Sequence, residues 1–487
     1  MKRSPDWCRA ITILTGLAFA PAVSATTGYW GIGYGAKAMG LAGAVVSNPQ
    51  DSIIASTNPA GMALVGERYD VGIRFFSPQR EAKLETSAFG ASFDVEDKSR
   101  NDLFKIPNFG YTSAINDQLW WGISVYGNGG LNTTYDRNLY DETAGFLGAI
   151  APPPNGPGFP PNQVPEGTTV NDLLDASVPD ARFRPVNDVG TLSVDLKQAL
   201  FVPTLSFKFN DQHTFGASLL LGLQRFQARG LGNFQCFTKS ANPVDNPANA
   251  ATCPAFAAAP SDSLTNNGYD WAYGAGVRIG WIGDVHPRLT LGAAASSKVY
   301  MTEFDDYEEL FAEDGDFDVP ASFTVGATFK ATSQLNLSFD FQRVFYEGVN
   351  SISNPGPAPG PAGPTLPSGG DWLGTDDGLG FGWEDINVYR LGAEYFSNQQ
   401  WTWRAGFLYS DQVIPDDQVL FNILAPATVQ KHVTFGFTFS PDSNSEWNFA
   451  YMHAFKETVE SSQTAFGVPG EIEMHQNSVD FSYSYKF

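Results

Sequence analysis

The chain of 487 residues is rich in aromatics (38 Phe, 18 Tyr, 11 Trp) and in Gly (49), and holds only 3 Cys. Its 52 acidic residues outnumber 29 basic ones, giving a formal net charge of −23 and arguing against nucleic-acid binding, which needs a basic footprint. Beyond residue 25 no apolar run reaches the roughly 18 residues expected of a membrane-spanning helix.

The chain opens with basic Lys2, Arg3 and Arg9, an apolar stretch from Ala10 to Ala20 and small residues Val23-Ser24-Ala25. This is the form of a secretory signal peptide over 1–25, so an exported mature chain is expected from Thr26. Cys8 falls in that peptide. The remaining pair, Cys236 and Cys253, is expected to form a disulfide in one external loop, because export favours oxidation. No His is near them in sequence, which speaks against a metal role.

Residues 26–66 are dominated by Gly, Ala and Ser, with a short small-residue helix expected around Ala36–Ala44. They read as a compact plug, or hatch. Gly31-Ile32-Gly33-Tyr34-Gly35-Ala36, with Asp51 downstream, matches a dinucleotide fingerprint. That site needs a surrounding βαβ unit, and no α/β pattern follows, so close packing of small residues explains it better. Asn58-Pro59-Ala60 is a rigid corner: Pro59 fixes its own φ and pushes Asn58 into an extended conformation. The Asn58 amide could then tie the plug to a wall.

From Glu67 to the end, fourteen strands with period-two alternation are expected, over 67–80, 104–115, 119–133, 196–209, 213–229, 269–283, 288–302, 319–331, 334–348, 385–397, 400–412, 430–440, 445–457 and 474–487. Six connections are tight turns, among them Asn116-Asp117-Gln118 and Asn210-Asp211-Gln212, and the others are long. Trp120, Trp121, Trp281, Trp401, Trp403 and Trp447 lie near the tight turns, as in an aromatic girdle. The last strand alternates Val479, Phe481, Tyr483, Tyr485 and Phe487 with Asp480, Ser482, Ser484 and Lys486. Together these features imply an all-β fold: a 14-stranded antiparallel transmembrane barrel over 67–487, in a bacterial outer membrane. In the third strand Gly127, Asn128, Gly129 and Gly130 mark a bulge or kink, which could open a gap in the barrel side.

Other segments carry weaker chemistry. Residues 151–165 hold seven prolines and 355–367 hold six, as extended external coil. Residues 303–318 hold nine acidic groups and no basic one. Their spacing is not that of an EF-hand, and a solvated loop facing lipopolysaccharide fits better. The five histidines show no metal-ligand spacing, and no P-loop or Gly-x-Ser-x-Gly elbow occurs. His453 and His475, on neighbouring strands, are the candidates for a hydrolase. No cofactor, metal or catalytic residue is otherwise indicated.

Taken together, the small-residue stretch Gly35–Ala44, the Asn58-Pro59-Ala60 triplet, the Asn116-Asp117-Gln118 turn and the glycine-bearing third strand resemble the FadL family of outer-membrane hydrophobic-compound transporters. The resemblance implies a barrel plugged by an N-terminal hatch and a ligand that is a long-chain fatty acid or, in some branches, an aromatic or aliphatic hydrocarbon. It further implies passive uptake, with sideways exit at the third-strand kink. Asn58, Pro59 and Ala60 then become hatch or gate residues, and Gly127 to Gly130 the lateral opening. A long-chain fatty acid is the leading substrate expectation, although no Arg/Lys pair transfers position by position to hold a carboxylate. The barrel is expected to be a monomer, with outer-membrane lipid and lipopolysaccharide as neighbours. A polar porin, an outer-membrane hydrolase and a phage or adhesion receptor are the alternatives.

Overall fold

The computed structural model describes residues 27–88, 91–92, 94–150, 191–242, 261–360, 363–365 and 371–487. The expected signal peptide, the Pro-rich stretch 151–165, part of the second Pro-rich stretch and Cys253 lie outside the described residues.

Alternation of side chains builds the wall. The strands are β1 (Arg68–Leu84), β2 (Phe104–Ala114), β3 (Leu119–Tyr135), β4 (Leu192–Lys208), β5 (His213–Phe226), β6 (Asp270–His286) and β7 (Leu289–Ser296). They continue as β8 (Ala321–Lys330), β9 (Leu335–Phe345), β10 (Ile386–Phe396), β11 (Trp401–Ser410), β12 (Lys431–Phe439), β13 (Ser445–Ser461) and β14 (Gly470–Lys486). Each pairs antiparallel with its neighbour, and β14 returns to β1 from Arg68–Lys486 to Leu84–Gly470, so the fourteen strands close into a barrel. Closure removes the open edges that a bilayer does not tolerate.

One set of alternate residues faces outward and is apolar: Phe207, Phe215, Leu219, Val277, Ile279, Leu391 and Phe481 are all exposed. The other set faces the lumen and is polar. Arg74 on β1 and Asp480 on β14 form a buried ion pair at 2.9 Å.

Four of the six tight turns share one device. Asn116 Oδ1 accepts from the N–H groups of Gln118 and Leu119, both at 2.9 Å, and Asn210 does the same for Gln212 and His213. Asn398 and Asp442 repeat the pattern. A short carboxamide or carboxylate thus replaces a backbone acceptor and fixes the reversal.

The fourteen expected strands correspond one to one with those observed, with two internal differences. The expected span 213–229 breaks at Gln227, between β5 and a two-residue strand Ala228–Arg229. The expected span 288–302 is interrupted: β7 stops at Ser296, and Tyr300–Met301 resumes as a two-residue strand on β6. Between them the Ser297 hydroxyl accepts from the Val277 N–H at 3.0 Å and competes with the ladder.

Residues 27–66 run inside the barrel. Helix α1 (Ala36–Gly40) is buried throughout and packs against β12 and β13. Lys37 pairs with Glu446 of β13, which also takes Arg68 of β1 at 2.9 Å and Lys486 at the end of β14. The same carboxylate therefore joins the internal segment to the closing seam. Buried charges survive only when paired in this way.

Candidate functional site

Three features converge near β3. The first is an apolar cavity beneath the external loops. It is lined by Phe226 at the top of β5, Phe234, Phe311, Phe381, Phe421 and Leu424, among others, and no charged side chain lines it. Ring contacts extend from it: Phe226 lies 4.7 Å from Phe311, Phe311 lies 4.9 Å from Phe317, and Phe317 lies 6.1 Å from Tyr29. Phe234 meets Phe421 edge-on at 4.8 Å. These edge and tilted contacts are the preferred geometries of aromatic rings.

The second feature is a defect in the wall. The β2–β3 ladder ends at the pair Asn108–Tyr126, whereas β3 continues on β4 up to Tyr135–Leu192. From Gly127 onward, β3 therefore has no ladder partner in β2. The β3–β4 register slips between Gly127 and Gly129, so a bulge sits where the pairing is lost. Beside it lies a second cavity, lined by Phe76, Pro78 and Arg80 of β1, Gly130 to Asn132 of β3, Leu424 to Ala427 and Met474. Leu424 lines both this cavity and the first. Across the gap, Arg80 donates to the carbonyls of Asn132 and Asn101, and Asn101 Nδ2 donates to Asn132 Oδ1 at 3.1 Å.

The third feature is the start of the internal segment, which lies against the bulge. Gly130 N–H donates to the Tyr29 carbonyl at 3.2 Å, and Gly31 N–H to the Asn128 carbonyl at 3.4 Å. The Tyr34 hydroxyl donates to the same Asn128 carbonyl at 2.9 Å, and Asn128 Nδ2 donates to Gln198 of β4 at 3.2 Å. A Cβ on Gly129 would stand 2.1 Å from the Tyr29 carbonyl oxygen. Only glycine admits this approach. A β-branched residue at Gly129 would therefore displace Tyr29 as well as alter the strand, an effect that strand propensity alone does not reveal.

Asn58 lies at the opposite end of the segment and is fully buried. Its Nδ2 donates to the Val46 carbonyl at 2.8 Å and to the Trp281 carbonyl of β6 at 3.0 Å, while its Oδ1 accepts from Ala60 N–H at 3.1 Å. The φ of −142° and ψ of 108° are extended, and Pro59 starts a 3₁₀ turn over Pro59–Ala63. Gly280 and Gly216 make room, since a Cβ on Gly280 would meet Asn58 Oδ1 at 2.0 Å and one on Gly216 would meet Ala60 N at 2.3 Å.

Between the segment and the wall of β6 to β10 lies a polar cavity, lined in part by Arg278, Arg390, Gln342, Ser322 and Thr324. The lumen below the aromatic tract is thus hydrophilic.

Other expected residues fall elsewhere. Cys236 sits in the external turn Gly232–Phe237, and its expected partner is outside the described residues. His453 and His475 both lie on the outward-facing set, and His453 Nδ1 contacts Asn477 Oδ1 at 2.9 Å. They do not share a site with a nucleophile. The acidic loop makes many of its own contacts: Glu309 accepts from Ser240 N–H at 2.9 Å, and Asp318 pairs with Lys298 at 2.9 Å. Sequence reasoning missed Leu424 and Arg80. Arg80 leaves a trace, as a basic residue on the lumenal phase of β1, but Leu424 lies in a loop with no periodic signal.

A family model described as outer membrane protein transport protein (OMPP1/FadL/TodX) matches residues 13–150 and 187–487. No curated protein sequence matches the chain. Among solved structures, the toluene transporter TodX of P. putida superposes with a TM-score of 0.60 at 19% identity, covering 94% of this chain and 99% of that one. The toluene transporter TbuX of Ralstonia pickettii gives 0.56 at 18% identity, over 94% and 99% of the two chains. A Pseudomonas aeruginosa FadL homologue gives 0.60 at 14% identity, over 96% and 100%. At these identities the structures establish the fold alone. The family match spans both the internal segment and the whole barrel, and on it this chain belongs to the OMPP1/FadL/TodX family of outer-membrane transport proteins.

Proposed function

We propose that the protein takes up neutral hydrophobic compounds, monoaromatic hydrocarbons foremost, from outside the cell and releases them sideways through the gap beside β3. The observation that carries this reading is the apolar cavity under the loops, which has aromatic walls and no charged lining residue. A fatty-acid carboxylate buried there would lose its hydration without gaining a partner, at a cost of several kcal/mol. A neutral ring gains roughly 0.8 kcal/mol per buried CH₂ equivalent. This moves the substrate preference away from the long-chain fatty acid that the sequence favoured. The toluene transporters among the similar folds point the same way.

The exit follows from polarity. Downward lies the hydrophilic cavity with Arg278 and Arg390, which offers a hydrocarbon no gain. Sideways, one side chain away past Leu424, lies the second cavity, whose lining is mostly apolar (Phe76, Leu131, Ala425, Met474) with Arg80 and Asn132 at its rim. Residues 26–66 act as the hatch, with Asn58, Pro59 and Ala60 as its anchor to the wall. Gly127, Asn128, Gly129 and Gly130 form the rim of the opening. One barrel holds every part, which supports a monomer as the working unit. No turnover and no cofactor enter this route.

The test is uptake of labelled toluene and labelled oleate by cells that carry this protein in place of their own transporters of either solute. Toluene uptake should rise well above the empty-vector level and oleate uptake should not. Oleate uptake without toluene uptake would overturn the reading.

A further inference from the structure

The outer face of the barrel carries one basic cluster that transport does not use. It lies at the outer ends of β4, β5 and β6. Lys197 and Arg225 are register partners across β4 and β5, and Arg225 and Trp271 are partners across β5 and β6. Arg229 pairs with Ser193 just above. All belong to the outward-facing set. Asp195 stands among them, 2.8 Å from Lys197 Nζ and 3.5 Å from Arg225 Nη2, and accepts from the Tyr269 hydroxyl at 2.8 Å. Among the described residues no carboxylate lies within ion-pairing distance of Arg229. Three cations thus gather around the carboxylate of Asp195, with Asp270 between the rings of Tyr269 and Trp271 and its own carboxylate taken up by the N–H groups of Trp271 and Asp306.

Aromatic rings hold the cluster in place. The Arg225 guanidinium lies 3.9 Å from the Tyr269 ring centroid and 5.8 Å from that of Trp271. Contact of this kind restrains the guanidinium, part of whose N–H edge faces Asp195. Tyr273 and Tyr300 continue the exposed ring surface, at 59% and 63% exposure.

The height of the cluster identifies what faces it. Eleven residues separate Lys197 from Lys208 at the inner turn. At about 3.3 Å per residue and a tilt of about 40°, that is about 28 Å along the membrane normal. The apolar band of such a barrel is about 25 Å tall. Lys197 and Arg225 therefore stand at the level of the headgroups of the external leaflet, and Arg229, opposite Ser193 four residues further along β4, stands about 10 Å above them, all pointing away from the barrel.

We propose that Lys197, Arg225 and Arg229, set on the rings of Tyr269 and Trp271, bind the phosphate groups of a phosphorylated glycolipid of the outer leaflet, of the lipid A type. Phosphate suits the set because a fixed guanidinium gives paired N–H donors and Lys adds a point charge. The exposed rings beside it give a saccharide a flat surface to rest on.

The full-length protein is reconstituted into phosphatidylethanolamine vesicles that also contain diphosphoryl lipid A, dephosphorylated lipid A and phosphatidylglycerol. Barrels released from the vesicles are examined by native mass spectrometry. Diphosphoryl lipid A should be retained in preference to the other two. The triple variant Lys197→Gln, Arg225→Gln, Arg229→Gln should lose that preference by about tenfold or more, as expected from removing charge-assisted bonds. A control replacing Lys98, Lys431 and Lys456 by Gln, each of which already pairs with a glutamate, should keep it. Heat-modifiable mobility reports folding. Should the triple variant fail to fold, Arg229→Gln alone, at an exposed position, should still weaken retention. Equal retention of the three lipids, equal retention of phosphatidylglycerol, or a variant that holds diphosphoryl lipid A as well as the parent would each overturn the assignment.

Discussion

Leu424 is 4% exposed and lines both the cavity beneath the loops and the cavity at the wall gap. If solute passes from one to the other, this side chain controls the passage. Leu424→Trp should therefore cut toluene uptake to near the empty-vector level while the barrel stays folded and heat-modifiable. Leu424→Ala should leave uptake at least at the parent level, at a stability cost of about 2–5 kcal/mol for a buried leucine. Uptake unaffected by the Trp substitution would remove Leu424 from the route. Arg80 acts differently: it bridges β1 to the free edge of β3 by bonding two carbonyls, so it holds the rim of the gap.

At the scale of elements, the strands follow from their own alternation, and four of the six tight turns from Asn or Asp at their first position. The loop 303–318 is less simple. Its nine carboxylates looked like a solvated run, yet Phe304, Tyr307, Phe311 and Phe317 between them are buried and help to build the aromatic tract. Burial, and then the neighbouring Asp318 carboxylate, push the Asp316 carboxyl up to about 7 from its usual 3.8. The native loop thus keeps a proton that the unfolded loop has lost. Its stability is highest below about pH 4 and falls as the pH rises to about 7, after which it is flat. Asp316→Asn removes the charge and should flatten this dependence. Limited proteolysis of the loop at pH 8 should be slower in the variant than in the parent, with the two converging near pH 4. Equal cleavage rates at pH 8 would show that Asp316 does not carry the effect.

At the scale of the whole molecule, the internal segment and the wall are held by a few buried polar joints. Asn58 is one, spanning Val46, Ala60 and Trp281. Asn58→Ala leaves these buried groups without their partner, at about 1–3 kcal/mol for each group that water does not reach. Hydrogen exchange over residues 45–60 should accelerate, and planar-bilayer recordings should show more frequent ionic openings than the parent. The barrel itself should remain heat-modifiable, because its ladder is untouched. Unchanged exchange and unchanged conductance together would show that the anchor lies elsewhere, with the Lys37–Glu446–Arg68 cluster next in line.

The sequence by itself determined the barrel, its strand number, its alternating lumenal and lipid faces and the asymmetry of its connections. These are local properties: a period of two along the chain, and turn residues a few positions apart. It also singled out Asn58 and the glycines of β3, because proline and glycine constrain the backbone wherever they occur. Only the tertiary structure decided what those residues meet. That Gly129 lies under the Tyr29 carbonyl depends on a contact across 100 positions of sequence. That Glu446 joins Lys37, Arg68 and Lys486 depends on closure of the ring. The apolar cavity gathers Phe226 from a strand with Phe234, Phe311, Phe381 and Phe421 from four separate loop segments. Loops carry no periodicity from which their meeting could be read, and the cavity they form together is set by packing, which is a property of the folded chain.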